Sequence, residues 1–321
     1  MDGFWKGKTV LVTGATGMVG SHVAGMLLDR GASVVALARS RDPKSYFFTE
    51  GLDSKAVLAY GDLKDFDRVS NVVSRYEVDA IMHLGAQPIV PVALSEPLET
   101  LRSNVDGTFN VLEAARRSEK VKAVVVASSD KAYGKSAVLP YVEGMPLSGD
   151  EPYEVSKSCS DLISIAYGKT YGLPVAVTRF GNIYGPGDLN FNRIVPGAIR
   201  AALTNTALEI RSDGKMIREY LHVDDAAEGY LRLAEKMDSA KGEAFNFSSG
   251  ESLSVLEVVK KVGEAAGKKI GTRILSTARN EIPEQRLSSE KAAKALGWKA
   301  RIGMAEGLKA TLPWYRKLVF G

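Results

Sequence analysis

Residues 9–20 read Thr-Val-Leu-Val-Thr-Gly-Ala-Thr-Gly-Met-Val-Gly, a β-rich run that breaks into three glycines. The run TVLVTG does not alternate apolar with polar residues. That pattern predicts a strand buried on both faces of a parallel sheet. The residues that follow carry helical apolar spacing. Strand, glycine turn and helix in direct succession bring free backbone N–H groups and the positive end of the helix to one point. Gly14 permits the tight turn, Gly17 lets backbone approach a pyrophosphate, and Gly20 lets helix and strand pack closely. The spacing is G-x-x-G-x-x-G, not G-x-G-x-x-G. In this context the stretch predicts a dinucleotide cradle.

Outward from this stretch the pattern repeats. SVVALA (33–38), AVLAYG (56–61), AIMHLG (80–85), AVVVAS (123–128) and VAVTRFG (175–181) are further apolar runs. Between them lie segments such as HVAGMLLDRG and NVLEAARRSE, with helical spacing. A β-α alternation of this kind predicts an α/β fold with a Rossmann, doubly wound parallel sheet. After residue 181 the pattern loosens. GNIYGPGD (181–188) is rich in turn formers. A helix is expected near 193–204, strands near 208–211 and 218–223, and helices near 225–236, 254–266 and 303–318. The expected division is a Rossmann domain over 1–180 and a smaller C-terminal α/β substrate lobe over 181–321. Segments near 220–250 are expected to return to the first domain.

Composition removes several function classes. The chain has 321 residues, 45% hydrophobic and 25% charged, which excludes disorder and fibrous folds. Its single cysteine, Cys159, cannot form an internal disulfide, so a reducing, cytoplasmic setting is expected. The opening MDGFWKGK carries no long apolar run, and no secretory signal is read there. No uninterrupted apolar stretch reaches the ~20 residues of a membrane span. His22, His83 and His222 are scattered, and no metal-ligand cluster is visible. Residues 1–178 hold 19 Lys+Arg and 21 Asp+Glu; the remainder holds 23 and 17. The excess base therefore lies in the back section, as a solvated face or a pocket for an anionic ligand. The dense basic stripe with aromatics that nucleic acid would want is not seen.

The strand ends carry the candidate chemistry. A carboxylate for a ribose hydroxyl is expected about 20 residues past the glycine loop. Arg39-Ser40 stands there, followed by Arg41. Arginine can accept a 2′-phosphate or stack on adenine, so NAD and NADP both remain open. In Gly61-Asp62-Leu63 the aspartate either accepts from an adenine amino group or caps a turn. His83-Leu84-Gly85-Ala86 ends the fourth strand with small residues that leave room for a dinucleotide. His83 itself is read as a packed structural histidine.

Tyr153 and Lys157 stand four apart in Pro152-Tyr153-Glu154-Val155-Ser156-Lys157. On a helix that spacing places both on one face. Ser128-Ser129-Asp130-Lys131 ends the fifth strand, on the edge of the sheet where such folds bind ligands. A lysine ammonium near the phenol is expected to lower its pKa from ~10, making Tyr153 a base toward an alcohol.

These motifs resemble the extended short-chain dehydrogenase/reductase superfamily, the nucleotide-sugar epimerases and dehydratases. TGATGMVG, GDL, HLGAQP, NVDGTFNVLEA, SSDKAYG, PYEVSK, RFGNIYGPGD and REYLHVDD occur in that order over nearly the whole chain. The resemblance implies tightly held NAD or NADP and a nucleotide-diphosphate sugar as substrate. It also implies a homodimer built on the region Asn104–Arg116 and the helix from Tyr153. Nucleic acid and membrane are not implied. Cofactor contacts are expected from Gly14, Thr16, Gly17, Met18, Val19, Arg39, Asp62, Leu63, Leu84, Gly85, Ala86, Tyr153 and Lys157. Substrate contacts are expected from Gln87, Asn182, Arg193, Arg211, Arg218 and Arg286, the arginines because guanidinium forks suit phosphate.

Within the superfamily the chain resembles nucleotide-sugar 4,6-dehydratases such as CDP-glucose 4,6-dehydratase, whose serine–aspartate–lysine matches Ser129-Asp130-Lys131. It departs from them in IREYLHVDDA, where they carry proline–tryptophan, and in Arg39-Ser40, which is similar to NADP-using GDP-mannose dehydratases. The implied roles are Tyr153 as base at the C4 hydroxyl, Ser129 as its hydrogen-bond partner, Lys131 as base at C5 and Asp130 as acid at C6. Asp130 and Lys131 could instead form a local salt bridge. A 4-epimerase of a UDP- or GDP-sugar would need only Ser129, Tyr153 and Lys157. Relatives that serve as redox sensors or RNA-binding proteins typically lose the tyrosine–lysine pair, which this chain keeps.

Overall fold

Six of the seven strands in the main sheet are the apolar runs quoted above. The computed structural model describes residues 3–277 and 282–321. Its strands are β1 (Thr9–Thr13), β2 (Ser33–Ala38), β3 (Val57–Tyr60), β4 (Ala80–His83), β5 (Ala123–Ala127), β6 (Val175–Phe180), β7 (Asn182–Tyr184), β8 (Leu208–Ile210), β9 (Ile217–His222), β10 (Ala244–Phe247), β11 (Ser252–Ser254) and β12 (Thr272–Ile274). The main sheet runs β10-β6-β5-β4-β1-β2-β3, parallel throughout. Its fold class is the Rossmann-like α/β fold expected from the sequence. β4 and β6 are buried along their whole length, which is why they carry no polar–apolar alternation.

β10 has no counterpart among the predicted strands. It is four residues long and contains Asn246, which is fully buried. Partners satisfy that side chain: Tyr133 Oη donates to its Oδ1 at 2.8 Å, and its Nδ2 donates to the Tyr141 carbonyl at 3.1 Å. A polar residue in so short a run hides the strand from pattern reading.

Helices cover both faces. On one side Met18–Asp29 and Val223–Glu235 pack Val23, Ala24, Leu27, Ala227 and Leu231 into a core with Val10, Val12 and Phe247. On the other, Phe66–Arg75 and Gly107–Arg116 pack Val69, Val72, Val111 and Leu112 onto Leu11, Ile81 and Val124. Beyond β6 a second layer forms. β9 pairs with β7 and β11, and β8 with β12. Their core of Tyr184, Val195, Ile199, Val258, Leu308 and Tyr315 is closed by helices Ile194–Thr204, Val255–Ala266 and Met304–Phe320.

Two features aim these layers at one crevice. Strand order reverses between β1 and β4, so the chain leaves them for helices on opposite faces of the sheet. His22, on the helix after the glycine loop, faces Asp224 at 2.7 Å through Nδ1 and the Pro186 carbonyl at 3.1 Å through Nε2. The turn 185–188 is thereby held beside the glycine loop. No helix among the described residues is long and apolar enough to cross a membrane.

Candidate active site

Gly14 has φ +67°, and a Cβ placed on it would lie 2.8 Å from the backbone of Gly85. The loops after β1 and β4 therefore touch at the switch point through two glycines. A Cβ on Gly20 would lie 2.1 Å from the Gly14 carbonyl. Gly17 caps the following helix without any side-chain hydrogen bond, and the first turn holds no acid. Its leading N–H groups are thus not spent on a capping side chain, which suits an anion there. Thr16, Met18 and Val19 are part-exposed beside it. A dinucleotide pyrophosphate fits this cradle. Gly14→Ala is expected to yield protein that retains no nucleotide on purification. Denaturing the protein and chromatographing what it releases checks this.

Leu63 and Asp62 follow β3. Leu63 fills the space a Cβ on Gly85 would take, its Cδ1 2.6 Å from that position. Asp62 Oδ1 accepts from the Lys64 N–H at 2.9 Å, which is the turn role. Leu84, Gly85 and Ala86 are part-exposed at the end of β4. His83 is buried between Thr13 Oγ1 at 2.8 Å and Thr108 Oγ1 at 3.1 Å. Burial, with Lys157 nearby, pushes its pKa down to about 3, so it is a neutral packing residue. Arg39 is exposed at the end of β2 and lies 3.9 Å from Glu99. Lys64 also grips Glu99 and holds its carboxyl below the usual range. The carboxylate beside Arg39 competes with any 2′-phosphate for it. Arg39→Asp is expected to weaken NADP binding about tenfold or more through loss of a charge-assisted contact, and to leave NAD binding nearly unchanged. Titrating each nucleotide checks it.

The reacting groups meet at the end of β5. Ser128 and Ser129 follow the strand, and Ser129 caps a short 3-10 turn, Asp130–Tyr133. Ser129 Oγ donates to Asp130 Oδ1 at 3.0 Å and accepts from the Lys131 N–H at 3.2 Å. Opposite stands helix Pro152–Tyr171, whose proline occupies the first turn, where its missing N–H costs nothing. Tyr153 and Lys157 lie on it one turn apart. Lys157 is buried, donates from Nζ to the Ala127 carbonyl at 2.8 Å, and is pushed down by burial to about 8.

The expected lowering of the Tyr153 pKa is not found. Burial and then the nearby Asp130 carboxyl push it up to about 12, against a smaller downward pull from Ser129. Lys157 turns its ammonium to β5. In this structure a buried phenol beside an acid gains nothing from being charged. Burial likewise raises the Asp130 carboxyl above its usual range, despite Lys131. Among the described residues no ion pair joins Asp130 to Lys131, so a local salt bridge is not formed.

The substrate-side candidates are spread. Arg218 is buried on β9 and donates to the Ile217 carbonyl at 2.8 Å. Arg193 precedes helix Ile194–Thr204, is ion-paired with Asp188 at 2.9 Å and lies near enough to act on Tyr153. Asn182, at the start of β7, is part-exposed. Gln87 spends its side chain on Thr100 at 2.9 Å and on both polar groups of Ile89. Arg286 is ion-paired with Glu284 at 2.7 Å, and Arg211 is exposed at the end of β8.

Two buried groups here were not read from the sequence. Arg179 grips Asp161 through two bonds, 2.7 and 2.9 Å, and donates to Tyr133 Oη at 2.7 Å. It thus ties the helix of Tyr153 to the turn of Asp130. Glu219, on β9, is a buried carboxyl. Its signal was a charge directly before the run YLHV (220–223), next to Arg218.

The chain is similar to known proteins in sequence and in fold. The profile of the NAD dependent epimerase/dehydratase family matches residues 10–248. CDP-glucose 4,6-dehydratase of Salmonella typhimurium is 30% identical over 99% of this chain and 93% of its own. UDP-glucose 4-epimerase of Thermotoga maritima, solved with UDP-glucose, superimposes with a TM-score of 0.88 at 26% identity, covering 97% of this chain and 99% of that one. The dTDP-glucose 4,6-dehydratase of Streptomyces venezuelae, solved with NAD, gives 0.86 at 27% identity, covering 96% and 97%. The chain belongs to the NAD dependent epimerase/dehydratase family.

Proposed function

We propose that this protein is a nucleotide-sugar 4,6-dehydratase, converting an NDP-hexose of the CDP-glucose type to the NDP-4-keto-6-deoxyhexose. The observation that carries the reading is the buried Asp130, with Lys131 beside it, where Ser129 and Tyr153 meet. An epimerase has no use for a further acid and base at that point. Residues 181–321 are taken mainly as the lobe that binds the nucleotide sugar, and Asn182, Arg193 and Arg218 as its contacts.

The glycine loop, Leu84, Gly85, Ala86, Tyr153 and Lys157 would hold NAD, which supplies a reversible hydride acceptor. Tyr153 takes the C4 hydroxyl proton, and a cation brought beside it lowers the cost of its charge. Ser129 hydrogen-bonds the same oxygen. A ketone at C4 makes the C5 hydrogen acidic, and Lys131 takes it as the base. Asp130, protonated through burial, gives its proton to the leaving C6 hydroxyl, which departs as water. A homodimer is part of the proposal, supported by exposed Phe109 on one helix and Val155 and Leu162 on another.

The competing reading is a 4-epimerase, favoured by the fit to the Thermotoga maritima enzyme. Incubating the protein with CDP-, UDP-, dTDP- and GDP-hexoses and weighing the products decides between them. Loss of one water supports the dehydratase; a product of unchanged mass supports the epimerase.

A further inference from the structure

The turn that carries Asp130 and Lys131 ends in a closed ring of hydrogen bonds. Tyr133, its last residue, donates from Oη to Asn246 Oδ1 at 2.8 Å. Asn246, on β10, donates from Nδ2 to the Tyr141 carbonyl at 3.1 Å. Tyr141 donates from Oη to the carbonyl of Gly134, the residue after the turn, at 2.8 Å. The two tyrosine rings stack with centroids 4.8 Å apart and 17° between their planes. Tyr133, Tyr141 and Asn246 are all buried. With Leu287 the two tyrosines form a small core apart from those of the main sheet and the second layer.

Each bond in the ring has one possible direction. Arg179 Nη1 donates to Tyr133 Oη at 2.7 Å, and a guanidinium cannot accept. The phenol therefore gives its own proton to Asn246, whose amide nitrogen is left to donate to Tyr141. Burial raises both phenols above their ordinary range, so each keeps the proton it donates. Arg179 is paired with Asp161, one turn beyond Lys157 on the helix of Tyr153. The end of the Asp130 turn is thus set against that helix. Tyr153 and Ser129 are anchored elsewhere. Lys157 Nζ donates to the Ala127 carbonyl at 2.8 Å, and the Ser128 N–H to the Thr178 carbonyl at 2.8 Å. The middle of the turn is pinned at the Ala132 carbonyl, which accepts from the Ser148 N–H at 3.0 Å and from Ser158 Oγ at 3.1 Å. Loss of one bond from the ring leaves that pin in place.

We propose that Tyr133 and Tyr141 are positioning residues for water loss: their ring of bonds aims Asp130 and Lys131 at the C6 hydroxyl and the C5 hydrogen, and oxidation at C4 does not depend on it. This rests on the dehydratase reading. In the step served, the C5 proton goes to Lys131. The electron pair left behind forms the C5–C6 double bond, and the C6–O bond breaks as its oxygen takes the Asp130 proton and leaves as water. Neither tyrosine gives or takes a proton in that step.

The test is to time the two halves of the reaction in Tyr133→Phe and in Tyr141→Phe. Each variant keeps the stacked ring and removes one bond. The substrate is whichever of CDP-, UDP-, dTDP- or GDP-glucose the wild-type protein turns over. Stopped-flow absorbance follows reduction of bound nicotinamide, and weighing quenched samples follows loss of water. Nicotinamide reduction is expected to stay at the wild-type rate. Water loss is expected to slow by about tenfold in each variant, because small misplacements of reacting groups are costly. Reduced nicotinamide should therefore accumulate where the wild type shows little. A role in folding alone would slow both halves together. Tyr141→Phe serves if Tyr133→Phe does not fold. Equal slowing of the two halves overturns the proposal, as does unslowed water loss in both variants. If wild-type protein releases only a product of unchanged mass, the dehydratase reading itself falls and takes the proposal with it.

Discussion

Tyr153→Phe is expected to lower turnover by ~10²–10⁴, the usual worth of a positioned general base, while leaving nucleotide bound. One oxygen is removed, from a side chain whose neighbours are Ser129 and Asp130. The glycine loop that grips the cofactor is not touched. Measuring turnover and the nucleotide released on denaturation separates the two effects. Near-wild-type turnover removes Tyr153 from the proposed role. The pH dependence has a stated sign. Lys157 is held near 8 by burial, so its ammonium is present below that pH and lost above it. Its charged donation to the Ala127 carbonyl, which ties the helix of Tyr153 to β5, weakens as pH rises through about 8.

Combining Asp130→Asn with Lys131→Met is expected to stop the reaction halfway. Both substitutions keep approximate shape and remove proton chemistry. Oxidation at C4 needs Tyr153, Lys157 and Ser129, none of which changes. Stopped-flow absorbance should therefore show nicotinamide reduced on adding substrate and then held, with turnover lowered by ~10² or more. Formation of 4-keto-6-deoxy product at the wild-type rate would show that neither residue is the acid or the base.

Much of this architecture was legible in residue pattern. Central strands buried on both faces must be apolar throughout, so β1, β2, β4, β5 and β6 announce themselves. The glycine loop is equally plain, since Gly14 and Gly20 stand where any Cβ collides with backbone. The strand end at Ser129 and the helix carrying Tyr153 and Lys157 were legible because strand and helix periods place them, while the roles of Asp130 and Lys131 came from the resemblance. What stayed hidden depends on contacts distant in sequence. Asn246 sits in a strand only because Tyr133 and Tyr141 satisfy it, more than a hundred residues away. Glu219 is harmless in the core only because Ser248 and Leu287 reach it from two other segments. The Tyr153 pKa was misjudged for the same reason. Spacing shows that Lys157 shares its face but not that Lys157 is spent on the Ala127 carbonyl.

A 4,6-dehydratase must return to C6 the hydride taken from C4, with a proton restored at C5, because that is what turns the C5–C6 double bond left by water loss into a C6 methyl group. Supplying an NDP-hexose deuterated at C4 and locating the label in the product tests this most directly. The account predicts a product lighter by one water, a ketone at C4 and deuterium in the new C6 methyl group. Deuterium retained at C4 in a product of unchanged composition would contradict it.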